Sequence, residues 1–313
     1  MGDFHCPVGA PTYTGEGCIN CKMCLATTKE EVVAATKIVG DYIRATAAVR
    51  HAAKDIRKVA VCGKGGAGKS TVTALLAKSL VSLGYEPLVI DTDDSNEGTA
   101  AKLGIAELPL PLMDASGRFS IGASGDTSWL SHDPLPLSCI PSDYLAEREG
   151  VKFMSIGKIE NPFQGCSCNL GEVTKSLMQN LAPEGREIVI ADQDAGAESF
   201  GRGVEQGCDT VLIVIDPSRD SLLLAERMKF MSEGIGIRRI RVVMNKVAGK
   251  KQFKYLRSYL TDRDIRWLGK LDADEDLALA NLMGDDLDCD VMRRQMDEIT
   301  RLMLDEAEMS YDD

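Results

Sequence analysis

A glycine-rich segment, VCGKGGAGKST at residues 61–71, places a lysine and two hydroxyl side chains directly after closely spaced glycines. It matches the pattern G-x-x-x-x-G-K-[ST] through Gly63, Gly68, Lys69 and Ser70. Glycines let backbone N–H groups close around phosphate oxygens, and the N-terminus of a following helix adds favourable partial charge. Lys69 would reach the terminal phosphates and Ser70 would hold Mg²⁺. The alternative is an incidental glycine turn, but the surrounding strand–loop–helix pattern favours a nucleotide phosphate site.

Cysteine is the second residue type that could do chemistry here. The chain has ten cysteines, and a protein of the reducing cytoplasm uses thiols for metals, clusters or redox chemistry more than for disulfides. Cys62 and Cys208 lie in or beside apolar runs, which predicts small buried hydrophobes. Cys139 and Cys289 are also isolated. The clustered cysteines are Cys166 and Cys168, which form a C-x-C beside Gly165, and Cys6, Cys18, Cys21 and Cys24 at the N-terminus.

Composition excludes several classes of protein. The 313 residues are 44% hydrophobic, enough for a sizeable core, and the formal charge is −12. So acidic a chain is not expected to bind nucleic acid or an anionic membrane surface, because both need basic patches. There is neither a long apolar run nor a signal-peptide pattern, so we expect a cytoplasmic protein.

These residues need an α/β framework, which the rest of the chain predicts. From Lys58, short Val- and Ile-rich runs alternate with helical patterns, as in a parallel sheet covered by helices on both faces. The expected strands are KVAVC, PLVID, VKFMSI, EIVIA, TVLIVI and IRVVMN. The helix VTALLAKSLVSLG follows the glycine loop, and residues 104–142, rich in Pro, Gly and Ser, predict an irregular insertion.

Two further segments flank this framework. Residues 1–56 predict a cysteine-rich module with one long helix, separate from an ATPase domain at 57–313. The tail from Asp290 has a helical apolar pattern at Val291, Met296, Ile299 and Met303, which favours packing against the core.

A second lysine in the glycine loop indicates a particular class of nucleotide-binding protein. GKGGAGKST carries Lys64 and resembles the deviant Walker A motif of the ParA, MinD and nitrogenase-iron-protein group of dimeric ATPases. The resemblance implies that Lys64 reaches the partner's nucleotide across a homodimer; the alternative is a solvated loop lysine. It also implies an ordered set of acidic and amide residues, although isolated strand-end aspartates can equally be caps or turns.

The roles that this resemblance implies are specific. In PLVIDTDDSN, Asp93 would position the attacking water and Asp91 would act in the magnesium shell, and Asp192 in EIVIADQDAG would contact Mg²⁺ through water. Asn245 in VVMNKV resembles the adenine-reading asparagine of related ATPases, so ATP is the expected nucleotide. The predicted nucleotide-binding residues are Gly63, Lys64, Gly65, Gly66, Ala67, Gly68, Lys69, Ser70, Thr71 and Asn245, with Lys64, Lys69 and Asp93 catalytic.

The C-x-C becomes interpretable in a dimer. Two thiolates make half of a four-ligand zinc or nickel site, and a two-fold axis would supply the other half. Two idle or buried cysteines are the alternative. The run FMSIGKIENPFQGCSC, with DQDAGAESFGRGVEQGCDTVLIVIDPSRDSL, closely resembles CooC-type ATPases, the maturation factors of nickel carbon monoxide dehydrogenase. That implies an ATP-dependent metallochaperone that binds Ni²⁺ or Zn²⁺ through Cys166 and Cys168 of both protomers and delivers nickel to the dehydrogenase.

The N-terminal cysteines leave alternatives open. The segment CINCKMC, together with the earlier Cys6-Pro7, is similar to the cysteine ligands of bacterial ferredoxins, but the Cys-Pro comes first and not last. The alternatives for these cysteines are a four-iron, four-sulfur cluster, a structural zinc site and unligated thiols. The module keeps a rival function, an ATP-gated electron-transfer protein like the nitrogenase iron protein. Against it, DQDAGAESFG has no cysteine after Asp192, where that protein has a cluster ligand.

Overall fold

The computed structural model describes residues 56–93, 98–114, 118–122, 127–157, 168–196, 203–283 and 290–309. The predicted N-terminal module therefore lies outside the described residues, apart from its last residue, Ile56. Cys6, Cys18, Cys21, Cys24, Cys166 and Cys289 lie outside as well, and for Cys168 only the backbone is described.

Within this part of the chain one mixed sheet forms the centre of the molecule. Its strands are β1 (Lys58–Gly63), β2 (Glu86–Asp91), β3 (Ala146–Arg148), β4 (Val151–Ser155), β5 (Glu187–Asp192), β6 (Thr210–Ile215), β7 (Arg239–Val247) and β8 (Trp267–Asp272). They are ordered β3-β4-β2-β5-β1-β6-β7-β8, and all neighbours are parallel except β3 and β4. Because β1 is flanked by β5 and β6, residues at the carboxyl ends of these strands meet at one edge, where α/β sheets bind ligands.

Helices cover both faces of the sheet. They are α1 (Lys69–Ser82), α2 (Gly98–Lys102), α3 (Cys168–Asn180), α4 (Arg219–Gly234), α5 (Gly249–Thr261), α6 (Glu275–Met283) and α7 (Asp290–Met309). One hydrophobic layer joins the sheet to α1, α6 and α7, and the other joins it to α3, α4 and α5. Along β1, Val59 and Val61 enter the first layer and Ala60 and Cys62 the second, so the strand is buried on both faces. No helix in the described ranges is both long and apolar enough to cross a membrane.

The expected framework is confirmed in its main features. All six predicted strands form, α1 follows the glycine loop, and the described residues of the 104–142 insertion contain only short helical turns. The insertion is nevertheless packed: Trp129 and Tyr144 are buried with ring centroids 5.3 Å apart, and the Tyr144 hydroxyl donates to the carbonyl of Ser120 at 2.6 Å.

The sequence prediction was wrong or incomplete at three places. The sheet is not wholly parallel, because the short edge strand β3 runs antiparallel to β4. The β8 segment was also missed, since WLGKLD interrupts its apolar residues with Gly269 and Lys270. In α7 the buried stripe begins at Met292 and continues through Met296, while Val291, predicted to pack, is exposed.

The packing of α7 can be tested with a matched pair of substitutions. Met296→Ala should lower the free energy of unfolding by about 2–5 kcal/mol, because it leaves a cavity beneath a fully buried side chain. Val291→Ala, on the exposed face of the same helix, should change it by less than about 0.5 kcal/mol. Chemical denaturation of both variants checks this, and equal losses would contradict the observed orientation of the helix.

Candidate functional site

The glycine loop, residues 64–68, joins β1 directly to α1, so its backbone faces the N-terminus of a buried helix. Gly63 passes so close to β6 that a Cβ would collide with the carbonyl oxygen of Val214. Gly68 has φ of 95°, and a Cβ there would collide with the side chain of Asn245. Both positions therefore require glycine, and the loop can curve tightly into the N-terminus of α1, where an anion is favoured.

The loop's outward carbonyls have partners from β7. Asn245 Nδ2 donates to the carbonyl of Ala67 at 2.9 Å, and Lys246 Nζ donates to the carbonyl of Gly66 at 2.7 Å. Because a trans peptide directs its N–H opposite to its carbonyl, the N–H of Gly68 points away from Asn245, while the N–H of Ala67 donates to the carbonyl of Lys64 at 3.1 Å. Lys246 was not identified from the sequence, although it directly follows Asn245.

Asp192 is the most heavily bonded acidic group of the site. It ends β5 with 1% exposure, and it accepts hydrogen bonds from Thr99 Oγ1 at 2.5 Å and Thr73 Oγ1 at 3.2 Å. Burial raises the pKa of Asp192, while hydrogen bonds from Thr99, Ser70 and Thr73 and the charge of Lys69 oppose that rise. The carboxylate is thus kept beside the first turn of α1 with its lost hydration partly replaced by hydroxyls. Thr99 on α2 was missed by the sequence prediction.

Asp91 and Asp93 follow β2, the neighbour of β5. Asp91 pairs with Asp192 in the sheet register and is equally buried. The backbone N–H of Asp93 donates to Asp91 Oδ1 at 3.2 Å, which holds the loop after β2 against the strand end. Asp93 itself is partly exposed, at the same edge of the sheet as the glycine loop.

The donor set fits magnesium held together with a nucleotide. Ser70, Asp91 and Asp192 offer the hard oxygen atoms that Mg²⁺ prefers, and such sites usually share the ion with substrate phosphates. No group of three or more His, Cys, Asp or Glu side chains in the described residues could hold a metal ion alone. These residues would therefore hold Mg²⁺ with phosphate oxygens and water, and the bound ion would neutralise charge developing on the phosphates.

Lys64 rests on its own protomer. Its Nζ donates to Ser218 Oγ at 3.3 Å and lies 3.9 Å from Asp216 Oδ2, at the point where β6 leads into α4. Burial tends to raise the pKa of Asp216, but the hydroxyls of Ser218 and Ser221 and the charge of Lys64 lower it overall. A lysine that engages a second protomer must leave this contact.

A cavity of about 880 Å³ opens beside the glycine loop, between the segments that follow β7 and β8. Thr71 on α1 and Asn245 on β7 both border it, so a nucleotide with its phosphates in the loop can extend its base into this space. One hydrogen of Asn245 Nδ2 is used on Ala67, so the side chain can still offer a base Oδ1 as an acceptor and the second N–H as a donor. The other lining residues are Lys246, Val247, Ala248, Gly249, Lys250, Phe253, Lys270, Asp272, Ala273, Asp274, Glu275, Leu277, Ala278, Asn281 and Met292.

Two cysteines are separated from this chemistry. Cys62 and Cys208 are fully buried, as predicted, and burial raises the pKa of both thiols. They are held in the protonated form, which is a poor metal ligand and nucleophile.

The hydroxyl of Thr99 provides a test of this geometry. Thr99→Val should lower Mg²⁺-dependent nucleotide turnover about tenfold, because a hydrogen bond to a charged group contributes about 1.5–3 kcal/mol. Thr99→Ser keeps the donor and should stay within about twofold of the parent. Steady-state hydrolysis across a magnesium titration measures both, and a Thr99→Val enzyme with unaltered magnesium dependence would contradict the role given to this hydroxyl.

Comparison with known proteins identifies relatives of this chain. Residues 58–163 match the family described as the CobQ/CobB/MinD/ParA nucleotide binding domain. An uncharacterised ATP-binding protein of Methanocaldococcus jannaschii is 32% identical over 75% of this chain and 95% of its own length. The carbon monoxide dehydrogenase accessory protein CooC of Rhodospirillum rubrum is 30% identical over 72% of this chain and 88% of its own.

The fold resembles that of a solved protein whose name appears in this family's description. The septum site-determining protein MinD of Pyrococcus horikoshii, solved with Mg-ADP, superposes with a TM-score of 0.59 over 82% of this chain and 99% of its own, at 16% identity. The glycine loop, its lysines and the strand-end aspartates are thus found on the fold that the sequence predicted. The chain belongs to the CobQ/CobB/MinD/ParA family of P-loop ATPases.

Proposed function

We propose that this ATPase is a metallochaperone that carries nickel through Cys166 and Cys168 and supports nickel insertion into carbon monoxide dehydrogenase. The observation that carries the proposal is the 30% identity to the accessory protein CooC, taken together with the C-x-C motif of this chain. Thiolates are soft donors that suit nickel and zinc, and a cysteine pair supplies half of a four-ligand site.

Contacts on either side of residues 197–202 support a link between the nucleotide and this motif. The N–H of Gly196 donates to the carbonyl of Gly63, beside the glycine loop, at 3.0 Å. Farther along the chain, the helical turn Val204–Gly207 packs against Met178 of α3, the helix that begins at Cys168. The proposal is that a change at the phosphates is passed along this segment to α3 and moves the metal-binding cysteines.

A homodimer is the second part of the proposal. In it Lys64 leaves Ser218 and Asp216 and contacts the nucleotide of the partner, and two C-x-C pairs meet across the two-fold axis around one ion. ATP binding would then bring the half-sites together, and hydrolysis would separate them. Cys6, Cys18, Cys21 and Cys24 hold a four-iron, four-sulfur cluster or zinc in this proposal.

Activation of nickel-free carbon monoxide dehydrogenase by the nickel-loaded protein and MgATP tests the function. Cys166→Ala/Cys168→Ala should abolish activation while retaining ATP turnover, because it removes the metal ligands and leaves the nucleotide site intact. Lys64→Ala should retain nucleotide binding and lose both most of the hydrolysis and the activation.

A matched control is Cys139→Ala, which removes a partly buried thiol that belongs to neither the C-x-C motif nor the glycine loop. Activation at the parental rate by the C-x-C double variant would overturn nickel delivery through these cysteines. Undiminished hydrolysis by Lys64→Ala would overturn the role of this lysine in a dimer.

A further inference from the structure

Large apolar side chains are exposed on two helices of the face opposite α1. Leu223 and Phe230 on α4 are 47% and 77% exposed, and Tyr255 on α5 is 63% exposed. Leu223 and Phe230 lie two helical turns apart, on the same stripe of α4. Neither packing within the fold nor nucleotide binding explains why these three large apolar side chains are exposed to solvent.

The two helices are locked together between these side chains. The Tyr259 hydroxyl of α5 donates to Glu226 Oε1 of α4, and Arg263 Nε lies 2.7 Å from the same oxygen. The Arg263 guanidinium also stacks 3.6 Å above the Tyr259 ring. This linkage satisfies the Glu226 carboxylate and fixes the spacing of the two helices at this point.

The exposed side chains therefore form one surface. Glu226 lies between Leu223 and Phe230 on their stripe of α4, and Tyr255 lies one turn before Tyr259, with ring centroids 6.3 Å apart. The linkage of Glu226 to Tyr259 thus joins the two apolar stripes. We call this area the α4–α5 surface.

A cationic border runs along α5. Lys251, Lys254 and Arg257 are exposed, and none has a salt bridge to another described residue. Helix α5 contains no Asp or Glu from Gly249 to Thr261, in a chain whose formal charge is −12. The exposed apolar side chains therefore lie beside positive charge, although the protein as a whole is negatively charged.

We infer that the α4–α5 surface docks a partner protein through a segment that combines apolar side chains with carboxylates. Tyr and Arg at the centre of a patch with a charged rim are the composition of protein interfaces. Carboxylates of the partner would pair with Lys251 and Lys254, and its apolar groups would cover Phe230 and Tyr255.

Other occupants fit the surface less well. Two copies pairing symmetrically through it would set the α5 cations against each other, which like-charge repulsion opposes. Nucleic acid does not need the exposed apolar centre, and both nucleic acid and anionic membranes are repelled at long range by the net negative charge. The inference does not depend on which client the proposed function serves.

The location connects docking with the nucleotide. Gly249, Lys250 and Phe253, in the first turns of α5, line the cavity beside the glycine loop. A partner held on the outer face of α5 would therefore sit one helix away from the nucleotide base.

The test uses the full-length protein and a fluorescent helical peptide of about 18 residues, with Leu on one face and Glu on the other. Anisotropy titration at low salt should show saturable binding that weakens as salt is added. Lys251→Glu/Lys254→Glu should weaken binding about tenfold or more, and Tyr255→Ser or Phe230→Ser should do so without a change of charge. ATP turnover should be unchanged in each, because none of these residues borders the nucleotide cavity.

The matched control is Arg294→Glu/Arg301→Glu, which makes the same change of charge on the exposed face of α7 and should leave binding within about twofold. Equal binding by the parent and Lys251→Glu/Lys254→Glu, or no saturable binding by the parent, would overturn the inference. So would tighter binding of a DNA duplex or phosphatidylserine vesicles that is lost in the same variant. Self-association of the parent in light scattering, lost with Tyr255→Ser, would assign the surface to a second copy instead.

Discussion

The glycine loop keeps its shape because two of its carbonyls accept hydrogen bonds from side chains of β7, which directs the N–H of Gly68 to the other side of its peptide plane. Asn245 and Lys246 hold the carbonyls of Ala67 and Gly66, and Gly63 must approach Val214 without a Cβ. These partners come from β6 and β7, which follow β1 in the sheet order, while Asp192 comes from β5 on its other side. The order of the strands therefore determines the site: an anion site is enclosed by three strands that are distant in sequence and adjacent in space.

A buried carboxylate is the counterpart of that anion site. Burial costs Asp192 hydration that the hydroxyls of Thr73 and Thr99 only partly replace, which is why its pKa is raised. A divalent ion shared with phosphates would offset this cost, so the burial of the carboxylate favours binding of the ion. Because Thr99 lies on α2 and Thr73 on α1, a single carboxylate joins the helix after the glycine loop to the helix after β2.

The parts of the molecule predictable from sequence are those encoded by local pattern. The glycine loop is one short motif, and the six predicted strands are continuous apolar runs that need burial on both faces. Lys246 and Thr99 were missed because their roles depend on residues that only the fold brings near, Gly66 and Asp192. The prediction that Val291 packs against the core was wrong because the adjacent residue Met292 is also apolar and is the one that is buried. Periodicity alone does not determine which of two neighbouring apolar residues faces the core.

The central claim is that ATP governs a metal ion shared between two chains, and metal content per chain tests it most directly. Iron, nickel and zinc would be counted in protein purified without oxygen and loaded with nickel, with and without ATP, for the parent and Cys166→Ala/Cys168→Ala. The account predicts about half a nickel or zinc per chain, lost in the double variant, and about four irons per chain that the variant keeps if the N-terminal cysteines hold a cluster. Iron that disappears together with Cys166 and Cys168 would contradict the account and favour an ATP-gated electron-transfer protein.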